Sequence, residues 1–340
     1  MMNECMGVGL IGCGAISVNH FKALQQVKNA RLVAVCDNDP EHLQKAMDGQ
    51  GVRGYSDYHE LLRDPEVQVV HICTPHYLHH QMAIDALHAG KHVLCEKPMA
   101  IHLADAEKMT EAAKETGCQL GICFQNRYNE ASRRIRALLD GGECGRVLGG
   151  SAVVTWDRGE DYYARGAWRG KWATEGGGVM INQAIHTLDL LRDFAGEVVD
   201  VKCSMSAKRL EDVIEAEDTC DMLLTTSTGA RLLFYASNCG VGNMPVQISL
   251  KCENASIFML GNRVTVTWKD GKVENNDYTS GFQWGKDYWG SGHGFLIEDF
   301  YRCLREGKPF PIDGNEALKT TRMLEAAYTA AHAKDRRRPE

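Results

Sequence analysis

The amino-acid sequence predicts an α/β protein with two domains, the first built on a parallel sheet and the second on a large, mostly antiparallel open sheet. The chain has 340 residues, enough for two domains of ordinary size. Over the first ~120 residues, short apolar runs alternate with amphipathic stretches, which is typical of buried parallel strands joined by helices. Further along, polar and apolar residues alternate within strand-like segments, which is typical of an antiparallel sheet with one covered face.

The first domain is placed at residues 1–124, where apolar runs mark the strands. Two amphipathic stretches, Tyr77–Ala89 and Ala104–Thr116, predict crossover helices. Right-handed crossovers put such helices on both faces of a parallel sheet, so its strands are apolar throughout. The predicted strands are Gly7–Ile11, Arg31–Cys36, Val67–Cys73, His92–Cys95 and Gln119–Cys123.

The second domain is placed at residues 125–340 and is predicted to bind substrate and to form an oligomer. Its helices are too few to cover both faces of a large sheet, so a homo-oligomer, a dimer or a tetramer, is expected. The C-terminal helices are expected to pack back on the first domain. The predicted elements are a helix over 128–141, strand-like segments from about 146 to 267, a helix over Val179–Phe194 and C-terminal helices over 293–306 and 314–334.

The composition argues against several classes of function. The net charge is −7 without a basic stripe, which argues against a nucleic-acid surface, and Arg336–Arg338 is interpreted as a solvated tail. No apolar run approaches the ~20 residues that span a bilayer, and no signal-peptide pattern begins the chain. The 13 cysteines form no C-x-x-C pair, and several lie in apolar strands as small hydrophobic residues. A cytoplasmic protein is therefore expected.

A glycine-rich turn follows the first predicted strand and opens a helix. In Gly12-Cys-Gly14-Ala15-Ile16-Ser17, Gly12 permits a tight turn and Gly14 lets the backbone approach a pyrophosphate at the helix N-terminus. Ser17 stands where the dinucleotide fingerprint has Gly or Ala, a mild departure at a helix–strand packing position. Gly12, Gly14, Ala15 and Ile16 are the predicted cofactor contacts of a Rossmann domain.

An acidic residue, Asp37, ends the second predicted strand. Its distance from the glycines suits a carboxylate that accepts both adenosine ribose hydroxyls. Such a carboxylate repels the 2′-phosphate of NADP, and no Arg follows it directly, so NAD is favoured over NADP. The alternative is that Asp37 caps a helix that begins near Pro40.

Further motifs resemble those of a known enzyme family. Cys95-Glu96-Lys97-Pro98, preceded by Cys73-Thr74-Pro75-x-x-x-His79, resembles the Gfo/Idh/MocA oxidoreductases, which include glucose–fructose oxidoreductase and inositol dehydrogenase types. The resemblance covers essentially the whole chain. It extends to Gly176-Gly177-Gly178 ahead of Ile185-His186-x-x-Asp189, and to Gly292-His293 ahead of Leu296–Phe300.

The resemblance implies an N-terminal Rossmann domain that binds NAD and a C-terminal domain whose open sheet face packs against another subunit. It also implies a substrate cleft between the domains and oxidation or reduction at a CH–OH carbon of a sugar, sugar derivative or polyol. The cofactor contacts that it adds are Thr74, Pro75, His79, Glu96 and Lys97.

Lys97 and His186 are the predicted catalytic residues. Removal of hydride from H–C–OH leaves a protonated carbonyl unless a base takes the hydroxyl proton. The base should titrate near neutral pH, as the histidine side chain does in general, so His186 is the natural choice, while Lys97 can donate a hydrogen bond to the hydroxyl, steady the oxyanion and relay the proton. The alternatives are a surface lysine at a strand end and a satisfied buried histidine.

Two neighbours of His186 bear on this hypothesis. Many members of the resembled family have Asp four residues before the histidine, where this chain has Asn182, which carries no charge but still binds a sugar hydroxyl. Asp189 lies one helical turn after His186 and could orient its ring.

The predicted substrate contacts combine aromatic and polar side chains. Aromatic rings stack on sugar C–H surfaces, and Arg or Asn holds hydroxyls, although the tryptophans can equally be packing residues. Tyr162, Tyr163 and Trp284–Trp289 are weaker candidates, and the helical spacing of His76 and His80 is not expected to bind metal because no third ligand pattern joins them. The predicted contacts are Arg127, Trp168, Arg169, Trp172, Asn182 and His186.

Three functions are compatible with the sequence. The first is an NAD-dependent dehydrogenase of a sugar or polyol. The second is redox-neutral glycoside cleavage or epimerisation through a transient keto-sugar, with NAD retained. The third is a non-catalytic sensor of a sugar or nucleotide, against which the presence of both Lys97 and His186 argues.

Overall fold

The computed structural model describes residues 5–279 and 292–332, and the chain divides into two compact units. The first unit comprises Met1–Gln125 and Ser291–Thr321, and the second comprises Asn126–Gly290 and Arg322–Glu340. The predictions for Trp284–Trp289 and Arg336–Arg338 lie outside the described residues. No helix in the described ranges is long and apolar enough to cross a membrane.

The first unit is built around a six-stranded sheet in which every strand pair is parallel, as predicted. The strand order is β3-β2-β1-β4-β5-β6, so the order reverses between β1 and β4. Ligands of open α/β sheets bind beyond the carboxyl ends of the strands at such a reversal. The strands are β1 (Met6–Ile11), β2 (Ala30–Cys36), β3 (Arg53–Tyr55), β4 (Val69–Ile72), β5 (His92–Cys95) and β6 (Leu120–Ile122).

Helices flank these strands, and the strand interiors are buried. Val8, Val70 and Leu94 have no exposed surface, because a parallel sheet covered on both faces shields the interiors of its central strands from water. The predicted helix Tyr77–Ala89 divides into a 3-10 turn at His76–Leu78 followed by an α-helix. The helices are α1 (Ser17–Leu24), α2 (Pro40–Met47), α3 (Tyr58–Arg63), α4 (His79–His88), α5 (Leu103–Thr116) and α9 (Gly292–Glu306), which packs on α1.

The second unit contains an eight-stranded sheet in the order β14-β13-β12-β11-β7-β10-β9-β8. Only the β7–β10 pair is parallel, which confirms a large, mostly antiparallel sheet. The strands are β7 (Val147–Thr155), β8 (Val198–Ser206), β9 (Thr219–Thr226), β10 (Arg231–Ser237), β11 (Gln247–Cys252), β12 (Ala255–Leu260), β13 (Arg263–Trp268) and β14 (Val273–Asp277).

The two faces of this sheet differ in burial. Along β10, Phe234 and Ala236 are buried, whereas Leu233 and Tyr235 are 60% and 41% exposed. Helix α8 packs on β7 and α6 packs on β13, so helices cover one face. The remaining helices are α6 (Glu130–Asp140), α7 (Glu160–Ala164), α8 (Ile185–Ala195) and α10 (Gly314–His332), within which the division between the units falls.

Candidate active site

The glycine-rich turn joins β1 to α1, as predicted. Gly12 has φ +90°, and a Cβ there would lie 2.8 Å from the Cys73 carbonyl, so only glycine fits. Ser17 fits the third position of the fingerprint, because its hydroxyl donates to Gly14 O at 2.7 Å and its side chain is fully buried. Ser17, which stands where the fingerprint has Gly or Ala, therefore closes the turn with its own hydroxyl.

The outer edge of this turn fits a pyrophosphate. A Cβ added at Gly14 would meet no protein atom within 4 Å, so nothing in this chain requires glycine there. Ala15 is exposed, while Ile16 packs against a core cluster that includes Leu10 and Val35. An open glycine at the start of a helix fits the close approach of a dinucleotide phosphate.

Asp37 holds the glycine turn from the end of β2. Its Oδ2 accepts a hydrogen bond from the Cys13 N–H at 2.7 Å, and its Oδ1 accepts one from the Asp39 N–H at 2.9 Å. Asp39 caps α2 by accepting from the N–H groups of Glu41 and His42, so the alternative reading of Asp37 as that cap is wrong. The carboxylate therefore lies against the predicted cofactor loop.

Thr74, Pro75 and His79 form a second predicted edge of the cofactor site. The buried ring of His79 lies between two backbone carbonyls, with Nδ1 2.7 Å from Pro98 O and Nε2 2.9 Å from Thr74 O. Thr74 Oγ1 is buried and has no hydrogen-bond partner among residues 5–279 and 292–332. An orphaned hydroxyl beside the glycine turn is a donor or acceptor that a cofactor can use.

Glu96 is buried at the end of β5 among histidines. Its Oε1 accepts from His20 Nε2 at 3.0 Å and from His293 Nε2 at 3.2 Å. Burial raises the pKa of the carboxyl, but the hydrogen bonds from His20 and His293 outweigh burial and hold the pKa well below 4.5. Glu96 is therefore an ionised anchor that joins β5, α1 and α9.

The histidine network continues away from Glu96. His20 Nδ1 lies 2.9 Å from His71 Nδ1, and His71 Nε2 lies 2.9 Å from the Tyr301 hydroxyl. Burial lowers the pKa of both histidines, so both rings are neutral. One assignment then satisfies every contact: the Tyr301 hydroxyl donates to His71, His71 to His20, and His20 to Glu96.

This network also contains a group with metal-ligating atoms. Within the described part of the chain, one set of three such residues has ligand atoms within 4.8 Å of one another, namely His20, Glu96 and Cys123. The His20–Glu96 hydrogen bond occupies the ligand atoms of both residues. The ligand atoms of His20 and Glu96 are thus already hydrogen-bonded to each other. His76 and His80 are not part of this group.

Lys97 follows Glu96 directly. Its side chain is half-buried, its N–H donates to Glu96 Oε2 at 3.3 Å, and the Lys97–Pro98 peptide is cis. Lys97 therefore extends from the carboxyl end of a central strand, beyond which the glycine turn also lies.

In the second unit, Glu217 binds the glycine run Gly176–Gly178. Its carboxylate accepts from the N–H groups of Gly178 and Met180, both at 3.0 Å, and from the Tyr328 hydroxyl at 3.1 Å. A Cβ at Gly177 would lie 1.9 Å from the Tyr328 oxygen, and one at Gly178 would lie 1.9 Å from Glu217 O. Sequence reasoning missed Glu217, since its contacts lie 37 and 39 residues away along the chain.

The predicted helix Val179–Phe194 begins later than expected. Ala184 N–H bonds to Val179 O, five residues back, which interrupts the regular helical ladder. The regular helix α8 therefore starts at Ile185, and the prediction was wrong for 179–184. His186 is the second residue of α8 and is half-buried, while Asn182 lies in the turn before it.

A polar cluster surrounds the hydroxyl of Tyr162. Arg169 Nη1, Asn182 Nδ2 and Gln183 Nε2 all donate to it, the two amides at 3.3 Å and 2.9 Å. The Arg169 guanidinium lies over the rings of Tyr162 and Trp168. The structure thus brings together three predicted contacts, Trp168, Arg169 and Asn182, around a tyrosine that the sequence ranked lower.

Two other predicted contacts have strong partners within the protein. Arg127 binds both oxygens of Asp189, at 2.7 Å and 2.6 Å, and approaches Asp193 at 3.1 Å. Trp172 donates from its indole to Glu215 O and packs edge-on against Tyr328. A substrate role for Arg127 and Trp172, and the orientation of His186 by Asp189, stay predictions.

The chain is similar to several dehydrogenases. It is 30% identical to the WlbA dehydrogenase of Bordetella pertussis, a structure in complex with NADH and UDP-GlcNAcA, with a TM-score of 0.87 over 98% of this chain and 97% of that one. It is 29% identical to a D-apiose dehydrogenase of Paraburkholderia graminis over 95% of this chain and 86% of the relative. An inositol 2-dehydrogenase of Salmonella typhimurium is 35% identical, over 41% of this chain and 43% of the relative.

Family models match both units. Residues 6–124 match the oxidoreductase family with an NAD-binding Rossmann fold, and residues 132–258 match the GFO/IDH/MocA C-terminal domain. The open glycine turn and the orphaned Thr74 hydroxyl fit the NAD that this family binds. The resemblance read from the sequence is confirmed: the chain is an NAD-binding oxidoreductase of the Gfo/Idh/MocA family.

Proposed function

We propose that this protein is an NAD-dependent dehydrogenase that acts on a CH–OH carbon of a sugar, sugar derivative or polyol. The observation that carries the proposal is in the first unit, where Lys97 follows β5 at the same sheet edge as the glycine turn and Asp37. A cationic side chain at this edge would suit a reacting hydroxyl held near the cofactor. The relatives' named substrates, an apiose, an inositol and a sugar nucleotide, support a polyhydroxylated substrate.

The chain's own residues divide the proton work of this reaction. NAD, held by the glycine turn and Asp37, would supply the acceptor for the hydride of the substrate carbon. Lys97 donates a hydrogen bond to the hydroxyl and stabilises the oxygen as its proton leaves, and His186 receives that proton as general base. Asn182, in the turn before α8, holds a neighbouring hydroxyl.

NAD is proposed to be preferred over NADP because of Asp37. Its carboxylate accepts two backbone N–H groups and lies against the glycine turn. A 2′-phosphate brought to this position would face a negative charge.

The exposed face of the eight-stranded sheet is proposed to form the contact of a homo-oligomer. Leu233 and Tyr235 of β10, Val199 of β8 and Phe258 of β12 are all exposed on it. Leu233 pairs with Ser151 of β7, so large and small side chains alternate across the face. Light scattering at micromolar concentration should give a dimer or tetramer, and L233D should shift it towards monomer; a monomeric unaltered protein would reject the contact.

The test of the activity is a panel of sugars, polyols and glycosides with NAD, followed by NADH absorbance and product mass. We expect NADH to accumulate with one product two hydrogens lighter than its substrate. Product formation without net NADH would instead indicate redox-neutral chemistry with retained NAD.

A further inference from the structure

The hydroxyl of Tyr162 receives more hydrogen-bond donors than it can accept well. A phenol oxygen has two lone pairs, whereas N–H groups of Arg169, Asn182 and Gln183 all converge on it. At least one of these donors is therefore poorly satisfied by Tyr162 alone. Such an excess of donors favours an additional acceptor, above all a negatively charged one.

The Arg169 guanidinium is the cation of this cluster. It lies over Tyr162 at 4.4 Å and over Trp168 at 4.6 Å, so two rings hold its plane. No carboxylate of the described residues lies within 4.0 Å of it. The side chain is half-buried, and a partly desolvated guanidinium without an acidic partner favours an anion brought by a ligand.

The charge around Tyr162 is positive on balance. The guanidinium of Arg158 also lies over its ring, at 5.3 Å, and Glu175 is the acidic residue that contacts the cluster. The Glu175 carboxylate is already engaged, because it accepts from the Asn182 amide and from the Gly170 N–H. Two guanidinium groups thus face one carboxylate.

The cluster lies beside the proposed base. Asn182 and Gln183 belong to the turn that leads into α8, and His186 is the second residue of that helix. An anion at Arg169 would therefore lie against the turn that leads into the helix of His186.

We propose that the substrate is an anionic sugar, a sugar acid whose carboxylate is bound by Arg169 with the amide of Gln183. The planar fork of a guanidinium matches a carboxylate, and the neutral amide of Gln183 can donate to the same group. A phosphate dianion is disfavoured because Glu175 lies in the same cluster. This inference rests on the proposed function, since it names the substrate of that same site.

The experiment compares matched substrates with the NAD-loaded protein. D-glucuronate is paired with D-glucose, D-galacturonate with D-galactose, and each acid with its amide and with the sugar 6-phosphate. We expect kcat/KM for an acid to exceed that for its neutral partner by about 10-fold or more. R169Q should raise KM for the acid by about 10²-fold and lower the acid-to-neutral ratio towards one, while R169K should lose less, because it keeps the charge without the fork.

Arg165 provides the matched control, because it is an exposed arginine at the end of α7. R165Q should leave the acid-to-neutral ratio unchanged, and thermal melts of R169Q and R169K check folding. A preference for neutral sugars or for the 6-phosphate in the unaltered protein would overturn the inference, as would equal losses for acid and neutral substrates in both Arg169 variants.

The failure of the proposed function has a different signature. No member of the panel would then be oxidised although NAD still binds. Calorimetry of D-glucuronate and D-glucose on the NAD-loaded protein decides the inference in that case. Saturable glucuronate binding that R169Q abolishes would support it, and equal or absent binding of the two sugars would overturn it.

Discussion

Two buried glutamates, Glu96 in the first unit and Glu217 in the second, show how the partners of a carboxylate decide its protonation. Both are almost fully buried, and both accept hydrogen bonds from at least two groups. Hydrogen bonds from His20 and His293 overcome burial at Glu96 and hold its pKa well below 4.5. At Glu217, burial outweighs the backbone N–H groups and raises the pKa to about 7.

The difference lies in what each glutamate supports. Glu96 precedes Lys97, and hydrogen bonds from the rings of His20 and His293 keep it anionic. Glu217 binds the glycine run before Asn182 and His186, where the Tyr328 hydroxyl can either donate to a carboxylate or accept from a carboxylic acid. The first arrangement is permanently charged, whereas the second is poised to gain a proton near neutral pH.

The largest expected effect comes from removing the two proposed catalytic side chains, Lys97 and His186. K97A and H186A should each lower the rate of hydride transfer by about 10²–10⁴-fold, the usual contribution of a positioned acid or base. The double variant should lose less than the product, because residues that act as a unit are not additive. Single-turnover reduction of NAD gives the rate, with NAD binding as the control. A near-normal rate in H186A would remove His186 as the base.

The next effect concerns stability and tests the raised pKa of Glu217. Its folded pKa of about 7 exceeds the unfolded value of 4.5, so between these values the folded protein retains a proton that the unfolded chain has released. The free energy of unfolding should therefore fall as pH rises through this window, by about 3 kcal/mol at 1.36 kcal/mol per pKa unit.

E217Q should remove this dependence, because an amide does not titrate. Urea unfolding of E217Q and the unaltered protein at pH 5, 6 and 7 measures it, and the difference between them cancels the contribution of His20 and His71. A constant difference across these pH values would contradict a raised pKa at Glu217.

Sequence patterns predicted elements whose signal is local and missed those that depend on distant partners. Five of the six strands of the first unit were found within about two residues because burial on both faces makes them apolar. Strand β3, Arg53–Tyr55, was missed because it is three residues long and partly exposed. Strand β14, Val273–Asp277, was missed because this edge strand carries mostly polar residues. The start of α8 and the role of Glu217 were missed because a contact 37 residues away leaves no local pattern.

The effect of Glu96 should have the opposite pH dependence. Its folded pKa is below the unfolded 4.5, so the ionised carboxylate stabilises the fold above that pH, and the contribution is lost as pH falls through the folded pKa. E96Q places an amide N–H against the Lys97 N–H, which Glu96 Oε2 accepts in the unaltered protein, and should cost about 1–3 kcal/mol at neutral pH. Unfolding at pH 7 and pH 4 should show the deficit shrinking in acid; a deficit that grows in acid would contradict the ionised state of Glu96.

The smallest expected effect concerns Asp37, a third acid that accepts two backbone N–H groups but lies against an open loop. Its side chain is 10% exposed, and its partners are the N–H groups of Cys13 and Asp39. D37A should weaken NAD binding by about 10-fold and reduce the difference between the affinities for NAD and NADP. Both effects are expected because the substitution removes the ribose acceptor and the negative charge together. Asp39, which caps α2, gives the matched control: D39A should lower stability by about 1 kcal/mol and leave the ratio of NAD to NADP affinity unchanged. Titration of both cofactors decides the matter, and an equal change of the ratio in D37A and D39A would assign the preference to the integrity of the loop instead of the charge of Asp37.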